Sequence, residues 1–180
     1  MLTFGEPGSS SWMQTSGAEA TRVGFFIGAA ICVQLRLLCN LIDGMIAVEG
    51  NMQSKVGMIY NELPDRVADT IFLVSAGYAS QAGRIGIELG WAASVLAIAT
   101  AYIRAFGAAQ GLGHDFCGPM AKQHRMFVLT VCCLLAAAEI AVGWQARALA
   151  VGLAAIAAGT LVTCVRRTWH MASALEKGKP

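Results

Sequence analysis

The chain has 180 residues, 56% of them hydrophobic and 13% charged, with a mean hydropathy of +0.58. That balance lies outside the range of soluble globular domains and points to a membrane protein. A net charge of +2 without any long basic run gives nucleic-acid binding no support.

Residues 1–22, "MLTFGEPGSSSWMQTSGAEATR", mix Gly, Ser and Pro with scattered apolar residues and lack the basic start and apolar core of a signal peptide. They are expected to form a flexible or interfacial tail. Apolar blocks follow at 23–47, 58–82, 87–106, 126–145 and 148–168. Each is long enough to cross a hydrocarbon core as a helix of about 20 residues. The block "ALAVGLAAIAAGTLVTCV", Ala148 to Val165, carries no charge, whereas Arg36, Asp43, Asp65, Arg66, Asp69, Glu88 and Glu139 interrupt the others. The expected fold is therefore all-α, a polytopic transmembrane helical bundle of five spans forming one domain over residues 23–170. Residues 171–180 make a polar C-terminal tail.

Hairpin-connected helices place alternate loops on the same side. Lys55, Arg104, Lys122, Arg125, Arg166, Arg167, Lys177 and Lys179 then fall on one side, and Arg22, Arg84 and Arg147 on the other. The positive-inside rule makes the richer side cytoplasmic. Trp91, Trp144 and Trp169 lie near helix ends and read as interface anchors, with Arg84 and Glu88 as interfacial charges. The six cysteines include no CxxC pair, and most lie in apolar blocks, so they read as small buried hydrophobes. His114, Cys117 and His124 share a loop, but their spacing fits no common zinc pattern. Gly86 with Gly90, and Gly107 with Gly111, allow close helix approach, either inside the chain or across a homodimer.

One stretch breaks the apolar pattern: "CNLIDGMIAVEGNMQSKVGMIYNELPDRVAD", Cys39 to Asp69. Carboxylates at membrane depth cost about 2.5–3.5 kcal/mol each on insertion scales and need compensation. Asn40 and Asp43 are three residues apart, and Asn61, Asp65 and Asp69 step by four, so each set shares a helix face. If the two helices are neighbours across the short loop from Val48 to Gly57, both faces converge. Oxygen ligands from two facing helices suit a hard cation such as magnesium. Gly44 and Gly57 remove side chains where a ligand would approach the backbone. A purely structural alternative pairs Asp65 with Arg66 or Arg36. Arg36, one turn before Asn40, either faces the same cavity or pairs with Glu139.

The stretch resembles the signature of the CDP-alcohol phosphatidyltransferases, D-x2-D-G-x2-A-R-x8-G-x3-D-x3-D. Asn40, Asp43, Gly44, Ala47, Val48, Gly57, Asn61 and Asp65 occupy that frame without insertion or deletion. Ser54 and Lys55 resemble the pair that precedes the second glycine. Gly118 and Lys122 in "GHDFCGPMAKQHRM" are similar to a Gly/Lys stretch of that family. The resemblance implies an integral membrane enzyme that moves a phosphatidyl group from CDP-diacylglycerol to the hydroxyl of a small alcohol acceptor and releases CMP. It also implies Mg2+ or Mn2+ as cofactor, an active site facing the cytoplasm of a bacterial inner membrane, and six spans rather than five.

On that reading Asp65 is the catalytic base and Asn40, Asp43, Asn61 and Asp65 hold metal. Asp69, one turn further on, makes up for acids lost at Asn40 and Asn61. Gly44, Ala47, Ser54, Lys55, Gly57, Lys122 and Arg125 line the substrate site. Lys55, Lys122 or Arg125 stands in for the motif arginine, which is Val48 here. Asparagine still offers a carbonyl oxygen, but two such replacements remove two negative charges and lower the affinity for divalent ions. This keeps open a second function, a catalytically degenerate membrane protein that binds a lipid-nucleotide or a partner. A third, an ion or proton transporter using Asp43, Asp65 and Asp69, fits the motif spacing less well.

Overall fold

The computed structural model describes the backbone of residues 9–49, 55–112 and 118–178, and the side chains of residues 17–46, 62–112 and 118–178. The described chain folds into five helices: α1 (Ser9–Glu49), α2 (Lys55–Ala79), α3 (Gly83–Ala109), α4 (Lys122–Ala141) and α5 (Arg147–Glu176). The all-α bundle expected from the apolar blocks is present.

Among the described residues, four helical segments are long and apolar enough to cross a membrane: Gly17–Ile46, Gly83–Ala109, Lys122–Ala141 and Arg147–Glu176. The sequence suggested five spans, and α2 falls short for a physical reason. Its first half carries Glu62, Asp65, Arg66 and Asp69 around an internal Pro64. Of these, Asp65 and Asp69 are buried inside the bundle. At the other end α1 begins at Ser9, so helix extends back into the stretch expected to be a tail. With 41 residues, α1 is about 60 Å long, twice a hydrocarbon core.

The neighbours in space are α1 with α4, α3 with both α2 and α5, and α4 with α5. Helix α1 therefore leans on α4 more than on α2, its neighbour in sequence. Small residues set the tightest approach. A Cβ on Gly77 of α2 would lie 2.7 Å from the Gly86 carbonyl oxygen and 3.1 Å from the Gly90 Cα of α3. Gly86 and Gly90 thus serve packing within the chain. The core between α1, α2, α4 and α5 is built from Val33, Leu73, Met126, Leu129, Leu149 and Ile156, all nearly inaccessible. Large apolar side chains such as Phe25, Ile71, Val95, Phe127 and Val162 cover the exposed faces, as expected where lipid is the solvent.

At the end where α4 finishes and α5 begins, Glu139 accepts a hydrogen bond from the Ala148 amide at 3.0 Å, satisfying one of the free N–H groups that open α5. Glu139 is thus committed to that helix end and is not the partner of Arg36. Arg84 and Glu88 form an exposed pair of 2.7 Å, and Trp91, Trp144 and Trp169 are exposed near helix ends. Cys132, Cys133 and Cys164 are buried as expected, but Cys32 and Cys39 are exposed on α1; neither meets a second cysteine, and both face outward because α1 packs on one side only. Of the loop considered for zinc, His114 and Cys117 lie outside the described residues.

Candidate functional site

The hairpin order brings the C-terminal halves of α1, α3 and α5 together with the N-terminal halves of α2 and α4. A layer of charge forms at this end. Asp65 is its centre: its Oδ1 accepts hydrogen bonds from Arg36 at 2.8 Å and from the Asn40 amide at 2.9 Å, and its Oδ2 accepts one from Lys122. Arg36 also donates to the Asp65 carbonyl at 2.7 Å and to Asp69 Oδ1 at 2.5 Å, with its guanidinium 5.8 Å from the Phe72 ring centre. One arginine thus ties α1 to two successive turns of α2. Asn40, one turn further along α1, reaches the Asp65 carboxylate with a short side chain.

Below Asp65, Asp69 is 2% exposed and Arg125 is likewise 2% exposed. Their ion pair is long, 3.7 Å from Arg125 Nη2 to Asp69 Oδ2, and among the described residues Asp69 Oδ2 and Arg125 Nε have no hydrogen-bond partner. Arg125 donates instead to the Met120 carbonyl at 3.1 Å and the Thr100 hydroxyl at 3.4 Å. Arg167 donates to the Thr100 carbonyl at 3.2 Å. To one side, Glu62 accepts from Arg66 and from Arg104, each at 2.5 Å.

The turn before α4 is pinned to α5, and this sets the position of Lys122. Gly118 has φ of 134°, and a Cβ there would collide with Thr163. Only glycine tolerates both conditions. The Met120 amide then donates to Thr163 Oγ1 at 3.1 Å, leaving Lys122 as the first residue of α4, aimed at Asp65.

An open cleft of about 690 Å³ runs beside this layer, lined by Gln34, Leu37, Asn40, Gly44, Lys122 and Gln123 among others. A second, mostly apolar cavity of about 320 Å³ lies deeper between α1, α2 and α4, with Phe26, Val33, Phe72 and Leu129 in its wall.

The structure therefore gathers Asn40, Asp65, Asp69, Lys122 and Arg125, and places Gly44 in the adjoining cleft. It does not bring Asp43 to the same point: Asp43 is exposed, and among the described residues it makes no ion pair. Three residues turn a helix by about 300°, which leaves Asp43 about 60° from Asn40, and the lean of α1 toward α4 carries it away from Asp65. The side chains of Ala47, Ser54, Lys55, Gly57 and Asn61 lie outside the described residues; by backbone, Gly57 belongs to the first turn of α2 and does not close the loop. Arg66 pairs with Glu62, so Arg36 is the arginine that holds Asp65.

The sequence named Arg36 as one of two candidate partners of Asp65, Arg167 only as a charge of the positive side, and Thr100 gave no signal at all. Arg104 and Arg167 count toward the positive side in sequence, but their proximity to the layer needs the α3 and α5 packing.

The donor set can be tested against the divalent ion that the sequence resemblance implies. Among the described residues no three His, Cys, Asp or Glu side chains group to hold a metal. Both Asp65 oxygens are engaged by donors, and Asn40 turns its NH2 toward Asp65. Arg36, Arg66, Arg104, Lys122, Arg125 and Arg167 set six positive charges against the three of Glu62, Asp65 and Asp69. The described residues, which do not include the Asn61 side chain, thus carry more positive than negative charge around Asp65, a balance that suits an anion better than a divalent cation.

No protein-family model matches the chain, and no solved structure matches it. It is similar to an uncharacterized protein of Aquifex aeolicus (strain VF5), 27% identical over 150 residues that cover 82% of this chain and 70% of the relative.

Proposed function

We propose that the chain is an integral membrane transferase of the CDP-alcohol phosphatidyltransferase type, acting on CDP-diacylglycerol or a similar CDP-linked lipid at the cytoplasmic face of a bacterial inner membrane. One observation carries the reading. Lys122, from a glycine-set turn 57 residues downstream, meets Asp65, the last acid of the motif, and Asn40, the first motif position, meets the same carboxylate. Residues matched to the motif only by spacing are thereby assembled at one point, beside a cleft and under an excess of positive charge.

The arrangement suits the reaction proposed. The acceptor hydroxyl oxygen bonds to the phosphatidyl phosphorus as the bond to the CMP oxygen breaks; Asp65 takes the hydroxyl proton, and CMP leaves with the bonding electron pair. Lys122, Arg36 and Arg125 offset the charge of the diphosphate. The apolar cavity between α1, α2 and α4 offers an acyl chain room below the charged layer. A second reading, a binder of phosphorylated lipid without turnover, is favoured by the full engagement of Asp65 by donors.

The deciding experiment incubates purified protein with radiolabelled CDP-diacylglycerol and a panel of small alcohols, with Mg2+, with Mn2+ and with EDTA. Acceptor-dependent CMP release that Asp65→Asn abolishes is the expected result. Release from no acceptor under any of the three conditions, with the protein still stabilised by the lipid, selects the binder.

A further inference from the structure

Asp65 is buried, yet two of the groups that hold it line open space. Lys122 and Asn40 both face the 690 Å³ cleft, and the side chains of Lys122 and Arg36 are 22% and 14% exposed. Lys122 reaches Asp65 on a flexible stem from the first residue of α4. Arg36 has a second carboxylate, Asp69, and the Phe72 ring to rest on. Among the described residues the buried Arg125 Nε has no hydrogen-bond acceptor, and its carboxylate, Asp69, is shared with Arg36. Arg36, Lys122 and Arg125 thus converge on the two carboxylates of Asp65 and Asp69.

We propose that the layer is a masked diphosphate-binding site in which Asp65 acts as a built-in competing anion. A carboxylate carries one negative charge on two oxygens, whereas a diphosphate carries more charge on more oxygens and forms stronger charge-assisted hydrogen bonds with lysine and arginine. A diphosphate entering the cleft takes Lys122, and part of Arg36, from Asp65. The carboxylate keeps Asn40 and becomes free to accept a proton only when the anionic ligand is in place. Asp65 is thereby neutralised in the resting protein, as a carboxylate at this depth requires, and exposed as a base on ligand arrival. The identity of the reaction rests on the transferase reading, but the anion exchange does not.

The two are separable by experiment. Binding of inorganic pyrophosphate, and of CDP-diacylglycerol in mixed micelles, is measured on the full chain in detergent with EDTA present. Removing the competing charge in Asp65→Asn should tighten binding about tenfold, and removing a receiving charge in Lys122→Gln should weaken it about tenfold. Unchanged or weaker binding by a folded Asp65→Asn protein overturns the proposal. If Asp65→Asn does not give a monodisperse protein, the Lys122 variants decide: Lys122→Arg should stay within about threefold of the parent while Lys122→Gln loses about tenfold, and a Lys122→Gln protein that binds like the parent overturns it. Tightening with pyrophosphate assigns the site to any diphosphate, and tightening with CDP-diacylglycerol alone assigns it to a lipid-borne one; either supports the exchange. An absence of CMP release would end the transferase reading without touching this result.

Discussion

Replacing Arg36 with methionine isolates the most connected side chain of the charged layer. The guanidinium donates to Asp69 Oδ1 at 2.5 Å, to Asp65 Oδ1 at 2.8 Å and to the Asp65 carbonyl at 2.7 Å. Asp65 would keep Asn40 and Lys122, so its loss is partial. Asp69 would not be so protected. It is 2% exposed, and its remaining cation, Arg125, lies 3.7 Å away without a hydrogen bond. Stranding one member of a buried pair costs about 3–5 kcal/mol. In a domain of this size that lowers the melting temperature by about 10 °C. Thermal unfolding of the purified protein in detergent measures it, and the test is the conservative variant. If the cost arises from lost charge, Arg36→Lys, which keeps a cation near Asp69, should recover most of the loss. An Arg36→Lys protein no more stable than Arg36→Met would refute the electrostatic account of how α1 is held to α2.

Two glycines should respond in opposite directions. Gly77→Ala puts a Cβ 2.7 Å from the Gly86 carbonyl oxygen and should cost about 1–3 kcal/mol. Gly44→Ala meets no atom within 4 Å inside α1 and should gain about 0.5–1 kcal/mol in the same melting assay; on the transferase reading it should nonetheless lower CMP release, since Gly44 lines the cleft. Asn40→Asp replaces a donor 2.9 Å from Asp65 with a second carboxylate. It should cost about 1–3 kcal/mol in EDTA and recover with added Mg2+ or Mn2+, whereas the parent should show no such dependence.

The fold was legible because the apolar blocks are long and their punctuation is clear; α1, α3 and α5 extend past their blocks at both ends, while α2 and α4 start and stop a few residues early. Two things were not legible. The first is which helix neighbours which. Connection by a short loop suggested α1 against α2, but Gly77, Gly86 and Gly90 draw α2 onto α3, and α1 is left to pack on α4. The second follows from the first. The spacing of Asn40 and Asp43 gives a shared face only to within one helical step, and the direction of lean decides which of the two reaches Asp65. Asp65 itself was legible because a charge inside an apolar block must find a partner, and Lys122 and Arg125 because they are basic residues in the stretch just before the fourth block. Their partners lie on other helices, at separations such as the 57 residues between Lys122 and Asp65, where a local pattern carries no information.

The departure of the motif at its first position and the cationic character of the site have one physical cause. An aspartate at position 40 would set a second carboxylate within about 3 Å of Asp65, and that repulsion disfavours ionisation of both unless further positive charge joins them. Asparagine turns that repulsion into a hydrogen bond. Asp65 is then neutralised by Lys122 and Arg36, while among the described residues the buried Arg125 Nε still lacks an acceptor. On the anion-exchange proposal, the change that weakens a cation site at Asp65 strengthens an anion site at the same atoms.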